Sequence, residues 1–317
     1  MSEYRAIRVN YSLLEICAQP ELAAQVTLQP VTRLGVDAAI LFADILLPLI
    51  PMGIQLEFAA GEGPVIHNPI QSAADVAALR PVEPRESLAH VLAAIQMVRK
   101  ELDGKTALIG FAGAPFTLAS YLIEGGSSRN LLKTKRMMFS DPQSWHQLME
   151  KLAQVIADYL TAQVEAGAQT VQLFDSWVGT LTPDDYCEYV LPYSKSIFSA
   201  LQKTGVPTIH FGTGTASLLP LMKAAGSSVI GIDWQTPLDR AWELLDHQVA
   251  VQGNLDPVAL FAPEAELEKR VDRVLRQARS RPGHIFNLGH GILPDTPVDQ
   301  VKRVVDLVHE WVYQPVE

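Results

Sequence analysis

The sequence predicts an α/β fold whose parallel sheet is covered by helices on both faces. Three observations predict it. Short β-rich runs alternate with amphipathic helical patterns, and each run is followed by a loop bearing Gly, Pro, Asp or Ser. The helical patterns are long enough to serve as right-handed crossovers between parallel strands. The 317 residues, 48% of them hydrophobic, supply a large core, and no linker or composition break divides them. Two architectures satisfy this pattern, a (β/α)8 barrel and a doubly wound open sheet. Seven strands are counted where a closed barrel has eight. The Gly-x-Gly-x-x-Gly turn of the open sheet is missing, since Gly212-Thr213-Gly214 lacks the third glycine.

The elements follow in order. Pro20 opens a helical pattern with apolar residues at Leu22, Ala23, Val26, Leu28 and Val31, and Gly35 stands where that helix ends. The first strand is 36–43. Residues 52–69 are rich in Gly and Pro and read as an excursion containing a small hairpin. Helical patterns resume behind a Ser72 cap and again over 86–102. The remaining strands are 107–111, 170–174, 208–211, 229–232, 249–252 and 284–287. Their helices are 115–123, 145–166, 183–203, 216–225, 237–245, 264–278 and 298–312, with one extra helix between the second and third strands.

Composition narrows the function. A net charge of -10 with no Lys/Arg-rich run argues against nucleic acid or an anionic membrane as partner. Cys17 and Cys187 stand far apart and in no metal-ligand spacing, which suits a reducing compartment. The polar start Met1-Ser2-Glu3-Tyr4-Arg5 has no signal-peptide core. The longest apolar stretch, 36–54, is interrupted by Asp37, Asp44, Pro48 and Pro51 and is too broken to span a bilayer. The chain reads as soluble and cytoplasmic.

Within that stretch, Asp44 interrupts the run Ala38-Ala39-Ile40-Leu41-Phe42-Ala43-Asp44-Ile45-Leu46-Leu47. A carboxylate in apolar surroundings needs a partner, shifts its pKa or has a task. Asp44 is therefore either the cap of the following turn or a site residue. In a barrel the chemistry sits at the carboxyl ends of the strands. The residues there are Asp44; Gly113-Ala114-Pro115 leading to Tyr121; Asp175-Ser176-Trp177; His210-Phe211-Gly212; Asp233-Trp234; Asn254-Leu255-Asp256; and His290 between Gly289 and Gly291. Tyr121 also fits a core aromatic, Ser176 a turn cap, and Asp233 and Asp256 loop braces. His290, flanked by glycines, is hard to explain as packing. Ser176 lies in no Gly-x-Ser-x-Gly elbow, and no His-Glu-x-x-His or paired-Cys metal motif occurs. The residues point to cofactor-free chemistry built on one buried carboxylate.

These segments carry a resemblance. Phe42-Ala43-Asp44-Ile45-Leu46, Gly113-Ala114-Pro115-Phe116-Thr117-Leu118, Leu173-Phe174-Asp175-Ser176, Gly231-Ile232-Asp233-Trp234, Gln252-Gly253-Asn254-Leu255-Asp256-Pro257 and Asn287-Leu288-Gly289-His290-Gly291 resemble, in order, the signature segments of the uroporphyrinogen decarboxylase family. The resemblance spans nearly the whole chain. It implies a homodimeric TIM-type (β/α)8 barrel, one domain over 1–317. It also implies conversion of uroporphyrinogen III to coproporphyrinogen III in tetrapyrrole biosynthesis, by loss of carbon dioxide from four acetate side chains and with no cofactor or metal. By motif position Asp44 matches the catalytic aspartate that faces the pyrrole N–H groups. Tyr121, Ser176 and His290 match substrate-contacting residues, and Arg8 matches a basic residue near the substrate carboxylates.

One departure stands out. The family begins with a further segment ending in Arg-Gln-Ala-Gly-Arg-Tyr-Met, whose last Met corresponds to Met1. That segment would supply the first strand and two arginines, so the expectation is either a shortened or misassigned start or a barrel with an open seam. Two rivals remain. A zinc- and corrinoid-dependent methyltransferase of the same superfamily would carry His-x-Cys where this chain has His210-Phe211-Gly212. A non-catalytic descendant would bind a tetrapyrrole without reacting it.

Overall fold

The computed structural model describes residues 1–59 and 63–312. Its main sheet has seven strands: β1 (Ala38–Ile40), β4 (Ala107–Gly113), β5 (Thr170–Asp175), β6 (Thr208–Gly212), β7 (Val229–Gly231), β8 (Ala250–Leu255) and β9 (His284–Leu288). The remaining two, β2 (Leu56–Ala59) and β3 (Gly63–Ile66), form the antiparallel hairpin expected within 52–69. The sheet order is β1-β4-β5-β6-β7-β8-β9, and every neighbour is parallel. Each strand joins beside its predecessor, so the order never reverses. A doubly wound sheet requires such a reversal, and the barrel reading stands in its place.

The wall is not closed. Among the described residues β1 and β9 each have one sheet neighbour. Ile40 on β1 and Ile285 on β9 are each 44% exposed, and β9 alternates half-buried with exposed residues where β6 is buried throughout. Contacts outside the ladder join the two ends. His309 from helix Val298–Glu310 meets Asp37 at 2.9 Å, and Arg5 from helix Ser2–Asn10 donates to the Pro294 carbonyl at 3.2 Å.

Local sequence explains where elements start and stop. Helix Pro20–Leu34 ends at Gly35 with φ of 71°, the left-handed conformation glycine adopts without strain. Ser72 caps helix Ala73–Ala78 by accepting the Asp75 amide. The first strand is shorter than expected. Leu41 N still donates to Ile109 O, but Phe42 N turns away to the Thr27 hydroxyl at 2.8 Å. The single helix expected over 183–203 is two, Pro183–Tyr189 and Leu191–Leu201. Pro192 lacks the N–H that would continue the first helix and is well placed only in the opening turn of the second.

Gln163, fully buried on helix Pro142–Ala166, fastens the helical layer to the sheet. Its amide accepts from Phe111 N and donates to Phe111 O, both at 2.8 Å. Phe111, Phe174 and Phe211 stand edge to face, with centroids 5.5 and 5.8 Å apart, on neighbouring β4, β5 and β6. The Gln252 amide reaches from β8 to β5 and donates to Gln172 at 3.2 Å.

Candidate active site

Asp44 lies just past β1, where the chain leaves the sheet and turns into the 3-10 helix Leu47–Leu49. Its Oδ1 accepts the Leu46 amide at 2.8 Å, and its backbone carbonyl accepts from Leu47 N. Oδ2 has no hydrogen bond among the described residues. The cap and the site role are therefore compatible: one oxygen stabilises the turn and the other remains available. The residue is half-buried. Burial pushes its carboxyl up to about 6, against the pull of the Leu46 amide.

The turn is set against the next strand by a close approach. A Cβ on Gly113, the last residue of β4, would stand 3.1 Å from the Ile45 Cβ and 2.7 Å from Leu118 Cδ2. Glycine there lets the Asp44 turn and helix Pro115–Glu124 meet over the end of β4. That helix carries Tyr121. Burial, and then the Asp44 charge, raise the Tyr121 phenol above its ordinary value. The β2–β3 hairpin closes over the helix end, with Ile66 N donating to Gly125 O and Ile70 N to Leu122 O.

Tyr121 packs on Trp177, with ring centroids 4.1 Å apart and planes tilted by 33°. Trp177 follows Ser176 directly, so β5 and helix Pro115–Glu124 deliver Tyr121, Trp177 and Ser176 together. Ser176 is half-buried, and its carbonyl accepts from the Thr213 hydroxyl. His290 stands on the opposite flank. Its exposed imidazole lies edge-on to Phe211 at 6.4 Å and to Trp234 at 6.0 Å. Gly289 permits this placement, because a Cβ there would stand 2.3 Å from Trp234 N, whereas Gly291 faces open space.

Arg8 is placed differently. It is exposed on helix Ser2–Asn10, and its guanidinium donates to Tyr11 O at 2.8 Å. Among the described residues it makes no hydrogen bond or ion pair with Asp44. Its charge is felt by Tyr4 and by the buried Cys17 thiol, which burial and then the Asp44 charge push up to about 12. That shift makes Cys17 an inert neighbour of Asp44.

Two residues counted at the strand ends do not face the mouth. Asp175 and His210 are wholly buried, and Phe198 of helix Leu191–Leu201 packs on the His210 ring at 5.1 Å. Strand alternation is the reason: Phe174 and Phe211 join the aromatic row, so Asp175 and His210 are carried to the opposite, helix-covered face. Asp233 braces a loop by accepting from Gly214 N and Gln235 N, and Asp256 accepts from Val258 N at the Asp-Pro turn. Asn254 donates to the Asp233 and Thr236 carbonyls. Sequence reading assigned no role to Trp177, although it adjoins Ser176 and its aromatic bulk sits at a strand end.

Comparisons with known proteins identify the family. The family model described as uroporphyrinogen decarboxylase (URO-D) matches residues 1–311. A uroporphyrinogen decarboxylase of Sorangium cellulosum is 61% identical over 309 residues, which span 98% of this chain and 88% of that protein. One of Carboxydothermus hydrogenoformans is 57% identical over 310 residues, or 98% and 89% of the two chains. Among solved structures, a methyltransferase from Methanosarcina mazei superposes with a TM-score of 0.81 at 20% identity, over 93% of this chain and 87% of that one, a likeness of fold. The position where the methyltransferase rival needs a thiolate is Gly212, and a Cβ there would stand 2.7 Å from Thr215 Cγ2. With the family model covering almost every residue and the segments around Asp44, Tyr121, Ser176 and His290 falling within it, the chain belongs to the uroporphyrinogen decarboxylase family.

Proposed function

We propose that this chain removes carbon dioxide from the four acetate side chains of uroporphyrinogen III, giving coproporphyrinogen III, without a cofactor. The observation that carries the reading is Asp44: a half-buried carboxylate with one oxygen held by the Leu46 amide, the other unused, and its charge felt by Tyr121.

Decarboxylation of a pyrrole acetate needs an electron sink. Protonation of a ring carbon makes the ring cationic, and the bond to the leaving carboxylate breaks as its electrons flow into that cation. The resulting exocyclic carbon then takes up a proton to become a methyl group, and the ring carbon gives its proton back. A carboxylate beside the cation is worth about 4 kcal/mol at an effective dielectric of 20 and ~4 Å. Asp44 accepts the pyrrole N–H groups and opposes the developing positive charge from a position fixed before the substrate arrives. The Tyr121–Trp177 wall, Ser176 and His290 contact the macrocycle, and Arg8 lies near its carboxylates. The 61% and 57% identical relatives named for this activity support the reading.

The protein works as a homodimer in the cytoplasm. Exposed apolar side chains at Trp234, Val258, Phe261, Ile292 and Leu293 follow β7, β8 and β9, a surface that a second copy would cover. Sedimentation equilibrium checks the dimer. Anaerobic incubation with uroporphyrinogen III, followed by chromatography of the oxidised products, checks the activity. The four-carboxyl product is expected. Binding without any product would replace this reading with the non-catalytic one.

A further inference from the structure

The polar cluster behind β5 and β6 is not used by the chemistry above, yet it connects to the site wall. Asp175, His210 and Thr117 are all wholly buried. Asp175 Oδ1 accepts the Thr117 hydroxyl at 3.0 Å, and Thr117 Oγ1 accepts the Trp177 amide at 3.4 Å. Thr117 lies one helical turn before Tyr121, whose ring packs on Trp177. The threonine hydroxyl thus touches both elements that build the aromatic wall.

The second carboxylate oxygen lies near the His210 imidazole. His210 Nε2 stands 3.8 Å from Asp175 Oδ2, and among the described residues neither ring nitrogen nor Oδ2 has a hydrogen bond. The phenol of buried Tyr186, on helix Pro183–Tyr189, is pushed up by burial and then by the Asp175 charge. A carboxylate this deeply buried is retained only where something holds it, since desolvation is costly. Replacing such a group with an apolar one is often neutral for stability. Its placement one residue before Ser176 and two before Trp177 makes orientation of the wall the feature it can supply.

We propose that His210, Asp175 and Thr117 form a buried positioning relay that sets the Tyr121–Trp177 wall against which the macrocycle packs. His210 stands beside the free oxygen of the carboxylate, 3.8 Å away, the carboxylate fixes the Thr117 hydroxyl, and that hydroxyl holds the Trp177 backbone in register with the helix bearing Tyr121. None of the three touches the substrate.

The proposal rests on the decarboxylase reading for its kinetic arm but not for its spectroscopic arm. Thr117→Val keeps the shape and removes the hydroxyl; Thr117→Ser restores it. KM for uroporphyrinogen III is expected to rise about tenfold in Thr117→Val, the worth of one aromatic contact, while kcat falls less than about threefold. Thr117→Ser is expected to recover most of the KM. The near-ultraviolet circular dichroism of Thr117→Val should lose the band that Trp177→Phe also loses, which needs no turnover to observe. His210→Gln, which keeps a polar side chain beside Oδ2, should preserve that band, and His210→Leu should lose it. A Thr117→Val protein that is merely less stable, with both the band and KM unchanged, overturns the relay. A wild-type protein with no turnover but the expected pattern of bands overturns the decarboxylase reading and leaves the relay standing.

Discussion

Asp44 accepts the Leu46 amide at 2.8 Å through one carboxylate oxygen and, among the described residues, leaves the other without a hydrogen bond, so one side chain both closes a turn and presents a charge. The two roles pull its ionisation in opposite directions. The amide favours the charged form, while burial disfavours it and prevails, raising the carboxyl to about 6.

This balance predicts that Asp44→Asn gains stability while losing function. With a folded value near 6 and an unfolded one near 3.8, the folded state binds the extra proton between those two pH values. The contribution of this group is fully favourable below about pH 4, and on the order of 3 kcal/mol of it is lost as pH rises to about 6. Above that the penalty is constant. Urea midpoints should therefore favour Asp44→Asn at pH 7.5 and converge with the wild type toward pH 4.5. Turnover of the variant should fall at least about 100-fold, the loss expected when a transition-state charge partner is removed.

The same value sets an acid limb. If ionised Asp44 does the work, kcat/KM should fall as pH drops through about 6 in the free enzyme, with a slope of one proton. A profile flat from pH 5 to 8 would assign the chemistry elsewhere.

Gly289 and Gly291 should respond unequally to alanine. A Cβ on Gly289 meets backbone, Trp234 N at 2.3 Å and Asp233 C at 2.9 Å, so the chain must move and His290 with it. Gly289→Ala is expected to cost about 1–3 kcal/mol and to raise KM, while Gly291→Ala stays within about 0.5 kcal/mol. Thermal unfolding of the two variants side by side checks this.

Gln163→Leu should be among the more damaging changes away from the mouth. It leaves the buried Phe111 N–H and C=O without the partner they now share, a loss of about 2–4 kcal/mol by chemical denaturation. Because Phe111 begins the aromatic row, product formation by the residual folded enzyme should also slow.

Much of this was legible in the sequence. The seven strands, the hairpin in 52–69 and the helix over 264–278 follow from periodicity and turn residues, because each is a local pattern repeated on a regular scaffold. Helices Ser2–Asn10 and Leu132–Ser140 were not foreseen, and their residues bury little: none in the first, Thr134 and Met138 in the second. The strand-end census names Asp44, Tyr121, Ser176 and His290 as candidates but does not show which face of a strand Asp175 and His210 take. That depends on register, and register is fixed by neighbours far away in sequence. Trp177 was overlooked for a similar reason, since its role comes from a ring on another element.

The unclosed wall has a kinetic consequence. Every ladder in the main sheet joins a strand to the one before it in the sheet-forming order, and no ladder joins 38–40 to 284–288. The sheet's own ladders can therefore form in the order in which the chain is made, and the long loop closure that brings its two ends together is left to side-chain contacts such as His309 with Asp37. Local opening should run the other way. Amides of β1 and β9, each held from one side, would exchange with solvent before those of β5 and β6, so the barrel loosens from its rim strands while the aromatic row at its centre stays folded.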